Sequence, residues 1–115
     1  MNIEKFEDIL SWQKAKILTL NIYKKFHTSR DFGFKDQIER ASVSIMNNIA
    51  EGFERRGNKE FRQFLFISKG SCGEVRSMLN LALNLKYITN DKFELLNSAC
   101  IEESKIISGL ISSLK

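Results

Sequence analysis

The run FGFKDQIERASVSIMNNIAEGFERRGNKEFRQFLFISKGSCGEV, residues 32–75, decides the fold. In its first half Ile38, Ala41, Ile45, Ile49 and Gly52 recur every three or four residues, which puts them on one face of a helix. Beside that seam runs a polar stripe of Gln37, Arg40, Ser44, Asn48 and Glu51. Val43, Met46, Ala50 and Phe53 add a third, apolar side. A helix that is apolar on more than one side is central or meets another subunit. The spacing predicts a helix over 34–54. Residues 54–58, ERRGN, then form a basic turn, with Asn58 read as an N-cap and Glu60 placed to suit the positive end of the next helix.

That next helix is predicted over 59–87. Phe61, Leu65, Ser68, Cys72, Val75, Leu79 and Ala82 alternate spacings of four and three, a heptad seam. Phe64, Ser71, Met78 and Leu85 form a second row. Gly70 and Gly73 interrupt it, each at a cost of about 1 kcal/mol relative to alanine. The reading is that they admit a neighbouring helix at close range, near Ala41, Ser42 and Ser44. A phosphate-binding loop is the alternative, but neither GxxxxGK[ST] nor GxGxxG is present.

Outward from this block, Trp12, Ala15, Ile22, Tyr23 and Phe26 share a stripe and predict a helix over 9–26, widened by Ile9, Ile17, Leu18 and Leu20. The segment HTSRDFG breaks it. After YITND, Asp91-x-x-Glu94 reads as a capping-box variant. Phe93, Leu96, Cys100, Ile107, Leu110 and Leu114 continue the spacing over 91–114, with Glu103 interrupting it. Glu102 and Glu103 are adjacent, so their carboxylates point apart and read as helix surface, with Glu103 partly buried or at a contact. Long helices joined by short loops predict an all-α, antiparallel up-down-up-down four-helix bundle, a single domain over 1–115.

Composition narrows the function. The 115 residues contain no proline, which favours long uninterrupted helices. Charge-free runs such as Ser77–Leu85 and Ile106–Leu114 fall far short of the roughly 20 residues of a membrane span. The opening MNIEKFEDIL lacks the basic flank and apolar core of a signal peptide, so a cytoplasmic protein that does not enter membranes is expected. Cys72 and Cys100 are too few for a disulfide framework or a four-ligand zinc site and read as buried thiols. His27 has no nucleophile beside it, and no metal-ligand spacing occurs. No catalytic residue, metal or cofactor is expected.

The charge is +4, from 18 basic and 14 acidic residues. Residues 1–27 contribute 5 − 3 = +2 and residues 58–88 contribute 5 − 2 = +3, so the excess sits on the first and third helices. Lys14, Lys16, Lys24, Lys25, Arg55, Arg56, Lys59, Arg62, Lys69 and Arg76 are the candidates for phosphate contact, which would be salt-sensitive and independent of sequence. An ordinary solvated surface is the alternative.

The pattern FG-x-x-x-Q, RA-x-x-SI-x-x-NIAEG, a basic turn, KEF-x-x-FL and GS-x-x-E, with the opening FEDILSWQKA, resembles the four-helix-bundle proteins encoded by intervening sequences of bacterial 23S ribosomal RNA genes. The resemblance covers nearly the whole chain. His27 and Met46 stand where that family usually has proline, and Glu39 where a second basic residue is common. The fold also resembles the accessory variability determinant of diversity-generating retroelements, a positively charged pentamer that binds nucleic acid and a reverse transcriptase. The resemblance therefore implies a non-enzymatic homo-oligomer, a pentamer, binding RNA or DNA, with a protein partner such as a reverse transcriptase by analogy. Gln37, Arg40, Ser44, Asn48 and Glu51 would meet Glu60, Ser71 and Glu74 in a polar layer between the second and third helices; an exposed ligand site from the same residues is the alternative. A protein-interaction scaffold is the rival function, with the charge serving solubility.

Overall fold

Apolar residues at three- and four-residue spacing cannot all be buried by one helix alone, so each stripe needs a neighbour. A computed structural model describes residues 2–114. Among these, a 3₁₀ turn at Phe6–Asp8 precedes four helices: α1 (Leu10–Phe26), α2 (Phe32–Glu54), α3 (Asn58–Asn84) and α4 (Asn90–Ser113). No described residue is in a strand. The bundle measures 43 × 22 × 20 Å.

Cross-helix hydrogen bonds show how neighbours run. Thr19 meets Ser42 and His27 meets Glu39, so residue numbers rise on α1 as they fall on α2. Ser44 with Ser71 and Gln37 with Glu74 show the same for α2 and α3. Lys69 with Ser104 and Arg76 with Asn97 show it for α3 and α4. The central pair is the α2–α3 hairpin, as the two-sided apolar pattern of α2 requires.

The seams are where the spacing puts them. Ile38, Ile45 and Ile49 of α2, Leu65, Val75 and Leu79 of α3, and Leu96, Cys100 and Ile107 of α4 are at most 1% exposed. On α1 the buried stripe takes in Leu18 and leaves Ile17 and Leu20 in solvent. The buried hydroxyls of Thr19, Ser42 and Ser68 are satisfied by carbonyls, whereas that of Ser11 has no partner among the described residues. Ser42 donates to Glu39 O at 2.8 Å and Ser68 to Ile45 O at 2.7 Å. Thr19 Oγ1 lies 2.8 Å from Ala15 O and 3.0 Å from Ser42 O. Satisfaction of this kind removes the cost of burying a hydroxyl.

The helix ends differ from their sequence reading. α2 begins at Phe32 because Asp31 caps it, accepting from Phe34 N. The N-cap of α3 is Gly57, and Asn58 is already helical. Thr89, not Asp91, caps α4, its hydroxyl accepting from Lys92 N. α3 stops at Asn84, short of Tyr87, because Lys86 adopts φ 63°. Tyr87 N then reaches Ala82 O at 2.8 Å and Lys86 N reaches Leu83 O at 3.1 Å, the paired bonds of a Schellman ending.

The glycines also differ. Gly70 and Gly73 face open space, and a Cβ there would meet nothing within 4 Å. They do not mediate a close helix contact within the chain. Gly52 does: a Cβ would fall 2.6 Å from Phe64 Cβ and 3.0 Å from Phe61 Cδ1. α2 and α3 therefore approach closely beside the basic turn.

Candidate nucleic-acid interface

A phosphate contact needs a cation that is exposed and not already engaged. Several of the sequence candidates are engaged. Lys14 pairs with Glu102 at 2.7 Å, joining α1 to α4. Lys69 Nζ donates to Ser104 at 2.8 Å, and Arg76 Nε lies 3.5 Å from Asn97 Oδ1. Arg55 faces Glu60 at 3.6 Å and lies over the Phe64 ring. Arg56 faces Glu54 at 3.9 Å and lies over Phe53. Lys16 lies over Trp12, its ammonium 5.5 Å from the ring centroid. These exposed pairs are weak, about 0–1 kcal/mol each. They still hold the side chains against the surface.

Lys24, Lys25, Lys59 and Arg62 have no ion pair or hydrogen bond among the described residues. They fall at opposite ends: Lys24 and Lys25 in the last turn of α1, Lys59 and Arg62 in the first turns of α3. The cations are thus not gathered into one patch within the chain.

The sequence reading missed the end that holds Lys24 and Lys25. There the loops 27–31 and 85–89 are tied together. Tyr87 donates its hydroxyl to Asp31 Oδ2 at 2.7 Å, and its ring stands edge-on to Phe34 at 5.3 Å. The Tyr87 hydroxyl and the Phe34 amide hold the Asp31 carboxyl below its usual range. Phe32 is 65% exposed on the same end, with Lys35 Nζ 5.6 Å from its ring centroid. Arg30 and Lys86 are exposed there and unpartnered among the described residues. The signal was an aromatic residue close to a cation at each loop, Arg30 with Phe32 and Lys86 with Tyr87, masked by the stronger helical pattern.

The expected polar layer is only partly assembled. Ser71 Oγ lies 2.9 Å from Ser44 Oγ, and Asn48 Nδ2 donates to Ser44 O at 2.8 Å. Gln37 reaches Glu74 at 3.4 Å. Glu60 turns to Arg55 instead, and Arg40 and Glu51 are exposed with no partner among the described residues. The reason is exposure: Arg40, Glu51 and Glu60 all face solvent, so no buried partner is required of them. Arg40 instead borders a shallow concavity of about 480 Å³ between α1 and α2, with Tyr23, Val43, Ser44 and Asn47.

The buried polar chemistry lies elsewhere. Glu103, read as a partly buried surface residue, is 1% exposed, and neither carboxylate oxygen has a hydrogen-bond partner among the described residues. Burial pushes its pKa up to about 8, with Lys14 opposing and Glu102 reinforcing the rise. Burial likewise pushes the Cys72 and Cys100 thiols up to about 12, so neither is a thiolate at neutral pH. Both are free. Among the described residues no group of three or more potential metal ligands converges, and no helix is long and apolar enough to cross a membrane.

The class that these features define is an all-α four-helix bundle with a charged outer surface. Residues 7–109 match the family described as 23S rRNA-intervening sequence protein, and the chain belongs to that family. A crystal structure of a protein of unknown function from the S23 ribosomal protein family, from Bacteroides thetaiotaomicron VPI-5482, superposes with a TM-score of 0.82 at 25% identity. The match covers 89% of this chain and 98% of that one. Comparison with curated proteins gives no match.

Proposed function

We propose that this protein is a non-enzymatic, homo-oligomeric helical subunit of the cytoplasm that binds RNA or DNA through phosphate contacts. The observation that carries the reading is the set of cations on α1 and α3 that have no ion pair or hydrogen bond among the described residues: Lys24, Lys25, Lys59 and Arg62. Membership of a family named for a ribosomal RNA element supports it. Assembly would gather what one chain keeps apart, and the likeness to a pentameric barrel makes a pentamer the expected ring. The outer side of α3 supplies a surface for it, with Phe66 and Ile67 exposed beside Gly70, and Leu81 further along. Light scattering on nuclease-treated protein should give a ring-sized mass, and untreated protein should carry nucleic acid by its absorbance ratio. Affinity for an added oligonucleotide should fall steeply between about 50 and 200 mM salt. Salt-independent binding would overturn the electrostatic reading.

A second reading is an interaction scaffold for a protein such as a reverse transcriptase. Ile17 and Leu20 on α1 and Leu95 on α4 favour it, each more than half exposed. A pull-down that survives nuclease treatment would support this reading.

A further inference from the structure

The end of the bundle built from loops 27–31 and 85–89 carries an exposed aromatic ring, Phe32, together with cations that have no partner among the described residues. Phe32 is the most exposed large hydrophobic residue described, at 65%. It is not needed to start α2, because Asp31 supplies the cap and Phe34 supplies the buried ring. The platform under it is fixed. Phe26 packs edge-on to Phe34, Phe34 edge-on to Tyr87, and Tyr87 is bonded to Asp31, which immediately precedes Phe32.

The same end is rich in cations. Arg30, Lys86, Lys24 and Lys25 are all without an ion pair or hydrogen bond among the described residues, and Lys35 already faces the Phe32 ring. Of the acids at this end, Asp31 is occupied by Tyr87 and Phe34 N and Glu39 faces His27, which leaves Asp36, Asp91 and Glu94 against these cations. Lys86 is held at φ 63°, in the left-handed position of a helix ending that glycine usually fills. The chain thus keeps a cation at a place where the backbone favours a residue with no side chain.

We propose that this end docks single-stranded nucleic acid, with Phe32 stacking on a base and Arg30 and Lys86 contacting flanking phosphates. The inference rests on the nucleic-acid reading above and adds a place and a strand type to it. A protein-binding patch is expected to be depleted of charge at its centre, which this end is not. An exposed ring beside cations matches a strand whose bases are free to stack; in a duplex the base faces are already covered.

The test is fluorescence anisotropy at low salt with a labelled oligo-uridine of about 20 nucleotides, its DNA counterpart and a duplex of equal length. Three variants are compared with the wild type: Phe32→Ala, the pair Arg30→Gln with Lys86→Gln, and a second cation pair at the other end, Lys59→Gln with Arg62→Gln, which the proposed function also sets against phosphate. All five positions are exposed, and circular dichroism verifies that each variant is folded. Phe32→Ala should weaken single-strand binding about tenfold. The Arg30/Lys86 pair should make the log–log salt slope shallower by about 1.4, the value for two phosphates on a single strand. Loss of binding in the Lys59/Arg62 pair, with the loop-end variants unchanged, would overturn this inference and leave the nucleic-acid reading standing. Tighter binding of duplex than of single strand would also overturn it. No binding of any probe by the wild type would overturn both.

Discussion

The two ends of this bundle carry similar residues and use them differently. At the α2–α3 turn, Arg55 and Arg56 sit next to acids and fold over phenylalanines, so cation and ring satisfy each other within the chain. Phe53 and Phe61 pack edge-on there, and Gly52 lets the helices close on Phe64. At the opposite end Phe32 is 65% exposed although Lys35 lies over its ring, and Arg30 and Lys86, like Lys59 and Arg62 beyond the turn, have no partner among the described residues. The lesson is that a count of basic and aromatic residues does not measure a binding surface. Availability does, and it depends on whether an acid or a helix face lies within reach of each side chain.

The largest expected effect would break the comparison by loosening both ends together. Glu103 lies buried between them, and its pKa is raised from 4.5 to about 8. The unfolded chain releases this proton near 4.5 while the folded chain keeps it until about 8, so stability declines as pH rises through that window. The loss is at most about 5 kcal/mol above the window. Glu103→Gln should abolish this part of the slope. Urea midpoints of the two proteins between pH 5 and pH 9 check it; parallel curves would mean that the carboxyl is solvated.

A smaller effect sharpens the contrast at the closed end. Gly52→Ala must displace Phe64 and should cost about 2 kcal/mol by overpacking. Gly70→Ala faces open space in the chain and should instead gain about 1 kcal/mol from helix propensity. Thermal melts of the two variants should therefore move in opposite directions. A drop for Gly70→Ala would place that glycine in a contact between subunits.

The smallest effect tests the open end. Lys86→Gly removes a side chain from the left-handed region and should stabilise the fold by about 1 kcal/mol. Its melting temperature should rise while its affinity for a single strand falls. A rise in stability with unchanged affinity would make Lys86 an ordinary helix ending.

Much of the fold was legible because its signal is periodic. The α2 and α3 seams place Ile38, Ile45, Leu65 and Leu79 in the core from spacing alone, and proline is absent throughout. The site was less legible, since pairing is not periodic. Lys14 and Lys24 look alike in sequence, but only Lys14 has a carboxylate opposite, Glu102, 88 positions away. The glycines misled for the same reason. Gly70 and Gly73 stood out by sitting together, whereas the close approach is made by Gly52, whose neighbours are set by the turn after it.

The sequence by itself determined the number of helices, their stripes and their family, because burial of an apolar stripe is a local periodic demand that any neighbour can meet. Only the tertiary structure decided which cations are spent on acids, which ring is left in water and that Glu103 is shut inside the core. Those outcomes depend on distances between residues far apart in the chain, and Coulomb and hydrogen-bond energies change over a few ångströms that no spacing pattern encodes.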